Sequence, residues 1–137
     1  MLKSFQRWID AIPELRNRGR WTELNILIVG TTAGRRYNRD FRNRDYATNV
    51  LSFPYEPAPG EHAGLLGDIV ICAPVVQSEA RKARKDPRDH FAHLTVHGVL
   101  HLLGYDHESD RDSKTMETLE QSILATLGID DPYSIDD

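Results

Sequence analysis

Three histidines stand at i, i+4 and i+10 in the segment His97-Gly98-Val99-Leu100-His101-Leu102-Leu103-Gly104-Tyr105-Asp106-His107. On a helix, residues four apart share a face with Cβ atoms about 5–6 Å apart, so His97 and His101 can reach one ion from a rigid base. Gly104 can take the left-handed conformation that ends a helix. The resulting turn would bring His107 back toward the same ion. Three protein nitrogens leave a fourth position open, which is the arrangement of a catalytic zinc site; structural sites close all four. The spacing H-x-x-x-H-x-x-G-x-x-H is that of the long-motif zinc proteases, which carry a glutamate general base after the first histidine. Here that position is Gly98, which argues against a peptidase. His93 and His97 form a competing pair at the same spacing. His97 and His101 are preferred because only they have a third histidine delivered by a chain reversal.

The histidines need a helix, and the sequence supplies one. Asp86 suits its cap, Pro87 its first position and Asp89 its positive end. Between Pro87 and Leu103 the remaining residues are mostly apolar, which predicts a central, buried helix. Earlier in the chain, Leu2, Phe5, Ile9, Ile12 and Leu15 predict an amphipathic helix over 2–17, interrupted at Pro13. The run Leu24 to Val29 reads as a core strand. Thr31 or Thr32 can cap an arginine-rich helix to about Arg42, with Tyr37 and Phe41 on one side. Asn49 to Pro54 and Asp68 to Cys72 are two more strands, with Pro54 ending the first or placing it at an edge. Pro74 suits the first turn of a helix over about 75–85. Ser109 and Asp112 begin a last helix with the core stripe Met116, Leu119, Ile123 and Leu127, stopped by Gly128. The acidic tail from Asp130 is expected to fray. The predicted fold is α+β: a small mixed sheet of three strands with about five helices around the histidine helix, in one domain over residues 1–137.

Composition bounds the function. Hydrophobic residues make up 39% and charged residues 28% of the 137, as in ordinary globular chains. No apolar run approaches the roughly 18 residues of a membrane span, and charges interrupt the N-terminal stretch, unlike a secretory signal. A single cysteine, Cys72, fits a reducing compartment, and the cytoplasm is expected. The net charge of −4 is unevenly spread. Residues 1–50 hold ten Lys/Arg against five Asp/Glu, whereas residues 108–137 hold two against nine. A gathered positive face can bind a polyanion even on an acidic chain. The candidates for it are Arg35, Arg36, Arg39, Arg42 and Arg44; a solvated helix surface is the alternative.

The motif HGVLHLLGYDH resembles that of the YbeY family, metal-dependent endoribonucleases involved in ribosomal RNA maturation. The segments Arg42 to Pro54 (RNRDYATNVLSFP) and Leu66 to Cys72 (LGDIVIC) resemble the family's other signatures, and Met116 to Tyr133 does so more loosely. The resemblance spans roughly Phe5 to Tyr133. It implies that His97, His101 and His107 hold one Zn2+, and that Arg42 serves the RNA-cleaving site. It further implies single-stranded RNA as substrate, in processing of the 3′ end of small-subunit rRNA and in ribosome quality control. The ribosomal small subunit or its assembly proteins are the implied partners. Family members usually have a further strand before the first helix; this chain begins at the helix, so three strands are expected instead of four.

On this reading zinc polarises a phosphoryl oxygen or lowers the pKa of a water. Arg42 clamps the scissile phosphate with its planar fork; an ion pair with Asp45 is its alternative role. Asp106 is a candidate acceptor for the far nitrogen of a zinc-binding imidazole. A non-catalytic ribosome-assembly factor with structural zinc is the rival of another class.

Overall fold

The computed structural model describes residues 2–16, 23–60, 64–106 and 108–133. Among these lie six helical segments and three strands. Strand β1 (Glu23–Val29) runs parallel to β3 (Leu65–Cys72), and β2 (Val50–Pro54) runs antiparallel to it, in the order β1-β3-β2. The near-continuous apolar run of β3 is what a strand covered on both faces requires; Ile69, Val70, Ile71 and Cys72 are all buried. β2 is an edge strand, as Pro54 suggested, with Ser52 opposite Ile69 and Pro54 opposite Gly67. β3 begins three residues before the expected Asp68, because Leu65 already pairs with Glu23, and Gly67 with Leu24 and Pro54.

The predicted first helix is two, α1 (Leu2–Asp10) and α2 (Pro13–Arg16), with the proline starting the second. Helix α3 (Thr31–Arg42) follows β1 so directly that Gly30, with extended backbone, is its N-cap, and no side chain bonds there. The expected threonine cap is therefore absent: Thr31 is already inside the first turn. Helix α4 (Ala73–Ala83) carries its proline near the start.

Helix α5 (Pro87–Leu102) is the centre of the molecule, touching α1, α4, α6 (Asp110–Thr126), β2 and β3. Asp86 caps it by accepting from the Arg88 N–H at 2.9 Å. From Phe91 to Leu100 every residue is buried except His93 and His97. The helix thus opens toward solvent along a stripe of histidines. Its opposite side packs on the sheet, and Gly98 sets how closely. A Cβ at Gly98 would stand 3.2 Å from both Ile69 and the Ser52 hydroxyl. That hydroxyl donates to the Gly98 carbonyl at 3.1 Å. Position 98 therefore faces the sheet, and a side chain there would press on Ile69 and Ser52. Ser109 caps α6 through the Asp112 N–H at 3.1 Å. The beginning of the acidic tail docks instead of fraying: the Pro132 carbonyl accepts from Lys85 at 2.9 Å, and Tyr133 reaches α5 and α6.

Candidate functional site

His97 and His101 bring their Nε2 atoms to 3.1 Å from each other. Two nitrogens on a tetrahedral zinc, each at about 2.0–2.1 Å, stand about 3.3 Å apart, so this pair has the geometry of a chelating face. Beyond the helix, the Gly104 N–H donates to the His101 carbonyl and the Tyr105 N–H to that of Leu100, both at 3.0 Å. With φ of +103° at Gly104, this is the glycine-dependent C-terminal reversal anticipated from its position. The Tyr105 hydroxyl donates to Glu14, tying the turn to α2. The reversal carries Tyr105 and Asp106 along the cleft that His97 and His101 line. His107 lies outside the described residues. Asp106 is exposed and accepts from the Glu108 N–H at 3.2 Å.

Glu120, a fully buried carboxylate in the middle of α6, was not among the site residues expected from sequence. Its Oε1 lies 2.6 Å from His97 Nδ1 and its Oε2 lies 2.8 Å from His93 Nε2. The Tyr133 hydroxyl donates to the same Oε2 at 2.5 Å. Burial pushes this carboxyl upward, but the hydrogen bonds from His93, His97 and Tyr133 outweigh it and hold the group down at about 2. Burial and the charge of Glu120 push the Tyr133 phenol up, so it stays a donor. An ionised carboxylate only accepts. His97 therefore carries its proton on Nδ1, and in the neutral ring Nε2 keeps the lone pair a metal needs. His93, His97 and Glu120 also place ligand atoms within 4.8 Å of one another, so this group could itself hold an ion. Glu120 accepts from His93, His97 and Tyr133, and His97 belongs to both this group and the His97/His101 pair. A charge at i+4 from Met116 inside an apolar stripe was the available signal for Glu120.

Arg42, the last residue of α3, lines the same cleft as His97 and His101, of about 550 Å³. Its Nη2 donates to the Ser52 carbonyl at 2.8 Å and its Nη1 to that of Phe41 at 3.3 Å. Because the Ser52 hydroxyl bonds Gly98, one residue of β2 ties the arginine to the histidine helix. Asp45 pairs with Arg35 and not with Arg42, through contacts of 2.7 and 2.9 Å. This hydrogen-bonded pairing raises the Arg35 guanidinium and lowers the Asp45 carboxyl. Arg39 lies 3.3 Å from Asp40. Arg36 and Arg44 are exposed.

Comparison with known proteins places this architecture. The model of the family described as Endoribonuclease YbeY matches residues 1–128. The chain is 53% identical over 136 residues to a protein of Alkalilimnicola ehrlichii named Endoribonuclease YbeY, covering 98% of this chain and 82% of the relative. A protein of Stenotrophomonas maltophilia with the same name is 55% identical over 135 residues, 96% of this chain and 83% of its own. The solution structure of TM1509 from Thermotoga maritima shares the fold, with a TM-score of 0.60 at 23% identity over 97% of this chain and 93% of that one. A match over nearly the whole chain, and relatives above half identity, decide the matter: the chain belongs to the Endoribonuclease YbeY family.

Proposed function

We propose that this chain is a metal-dependent endoribonuclease that hydrolyses single-stranded RNA, with residues 1–137 working as one unit. The relatives' shared name supports the activity. The observation that carries the reading on this chain is the common cleft of Arg42, His97 and His101, residues far apart in sequence. His97, His101 and His107 would hold a zinc ion, and the donor chemistry fits: two imidazole nitrogens converge, one with its tautomer set by Glu120. Bound there, zinc would supply Lewis acidity toward a phosphoryl oxygen and a water of lowered pKa.

The chain's own groups do the rest. Arg42 offers five N–H donors, and two of them fix its guanidinium on the carbonyls of Ser52 and Phe41. Those that remain can bind the phosphate and stabilise charge developing on it. Glu120 holds His97 from behind. The proposed setting is small-subunit rRNA maturation in the cytoplasm, with ribosomal particles as partners. The buried free thiol of Cys72 agrees with a reducing compartment.

The test is hydrolysis of a labelled single-stranded RNA by zinc-loaded protein, with duplex RNA as control. Cleavage that stops on chelation and returns with zinc is expected. Intact RNA with a stoichiometrically loaded protein would overturn hydrolysis and favour a structural zinc in an assembly factor.

A further inference from the structure

Beside the cleft stands an aromatic ladder that catalysis leaves unused. Side chains alternate along a strand, so Ser52 of β2 turns to α5 while Phe53 turns the other way and meets α3. Phe41 lies 5.2 Å from Phe53, edge to face, and 6.2 Å from Tyr37 in a stacked arrangement with the planes 21° apart. Tyr37 and Phe53 are half-buried, whereas Phe41 keeps 59% of its surface in water. Its ring is therefore braced by two aromatics and open outward. The Arg42 guanidinium sits over the Phe53 ring at 5.0 Å from its centroid and also lines the cleft. Arg42 is the point where ladder and cleft meet.

The surroundings suit a polyanion. Residues 35–46 hold five arginines against two aspartates, a net +3. An exposed aromatic beside guanidinium groups is how single-stranded nucleic acids are held without reading sequence: phosphates meet the cations and bases lie on the rings. In a duplex the bases stack on one another and offer no face to such a ring.

We propose that Phe41, braced by Tyr37 and Phe53, is a stacking platform for a base of single-stranded RNA next to the phosphate held at Arg42. This rests on the RNA-cleaving reading of the cleft and adds to it a physical source of single-strand preference.

The experiment measures binding of zinc-loaded protein, by fluorescence anisotropy, to a short labelled 2′-O-methyl oligoadenylate that resists hydrolysis. The comparison strand has the same backbone with abasic units. Wild type should prefer the base-bearing strand. Phe41→Ala and Phe41→Leu should each lose about 5- to 150-fold in affinity for it, with unchanged affinity for the abasic strand. Phe41→Trp should retain the preference. The leucine variant preserves apolar contact with Tyr37 and Phe53, so a loss there reports the missing ring. Equal wild-type affinity for the two strands, or a leucine variant binding like wild type, would overturn the platform and leave Phe41 as an apolar contact for a protein. Cleavage of unmodified RNA by wild type is read separately. Cleavage without base preference refutes the platform alone; base preference without cleavage supports the platform as a binding site while hydrolysis fails.

Discussion

At the scale of single residues, two kinds of group in the cleft make different predictions. If His97, His101 and His107 are the ligands, changing any one to Ala should sharply lower zinc content measured by mass spectrometry of purified protein. His90→Ala should not, since His90 is held 3.0 Å from Glu79, away from the proposed ion. Glu120 acts through His97, so Glu120→Gln should weaken zinc about 10- to 100-fold in a chelator competition while all the histidines remain. Unchanged affinity would show that the tautomer of His97 needs no help. Arg42 cannot be a ligand, because guanidinium stays protonated. Arg42→Ala should keep zinc content while slowing RNA hydrolysis about 100- to 1000-fold, and Arg42→Lys should rescue only part, lacking the bidentate fork. A well-folded, zinc-loaded Arg42→Ala protein with unchanged turnover would remove the arginine from the mechanism.

At the scale of elements, the contact of α5 with the sheet explains why the protease-like spacing lacks its glutamate. Gly98→Glu would restore H-E-x-x-H in letters only, since its Cβ would press on Ile69 and Ser52. Overpacking alone costs about 1–3 kcal/mol and a buried unpaired charge adds to it. The variant should show a lower midpoint in denaturant and no peptidase activity; wild-type stability would refute the close-approach account. The same contact shows what was legible in the sequence. Strands β1 and β2, the Asp86 cap and the Gly104 reversal follow from local chemistry: branched apolar runs, a proline at a first turn, a glycine past a last one. What could not be read is where distant segments meet. Glu120 looks like one more surface charge until α6 lays it against His93 and His97, 27 and 23 residues away. Asp45 lies three residues from Arg42, and the sequence suggested that pair, but the path after the left-handed Asn43 gives Asp45 to Arg35 instead. That Arg42 lines one cleft with His97 and His101 follows from no local pattern; only the family resemblance pointed to this arginine.

At the scale of the whole molecule, the charge is divided along the chain. The first 50 residues carry an excess of five positive charges and residues 108–137 an excess of seven negative ones. Among the described residues no helix is long and apolar enough to cross a membrane. RNA should approach from the α3 side, where residues 35–46 carry five arginines against two aspartates. Each phosphate neutralised on a single strand releases counterions and contributes about −0.7 to the slope of log K against log salt. The arginines of α3 and its following loop are not equivalent in this respect. Arg36 and Arg44 are exposed, whereas Arg35 is held at 2.7 Å by Asp45. If Arg36, Arg42 and Arg44 each meet a phosphate, the slope should be about −2. Arg36→Ala and Arg44→Ala should then each flatten it by about 0.7, and Arg35→Ala should change it less, because Asp45 already offsets that charge. Anisotropy titrations across a salt series decide this. An equal flattening by Arg35→Ala would mean that its ion pair opens to take a phosphate, and that the positive face of the molecule is broader than its resting charge pairs suggest.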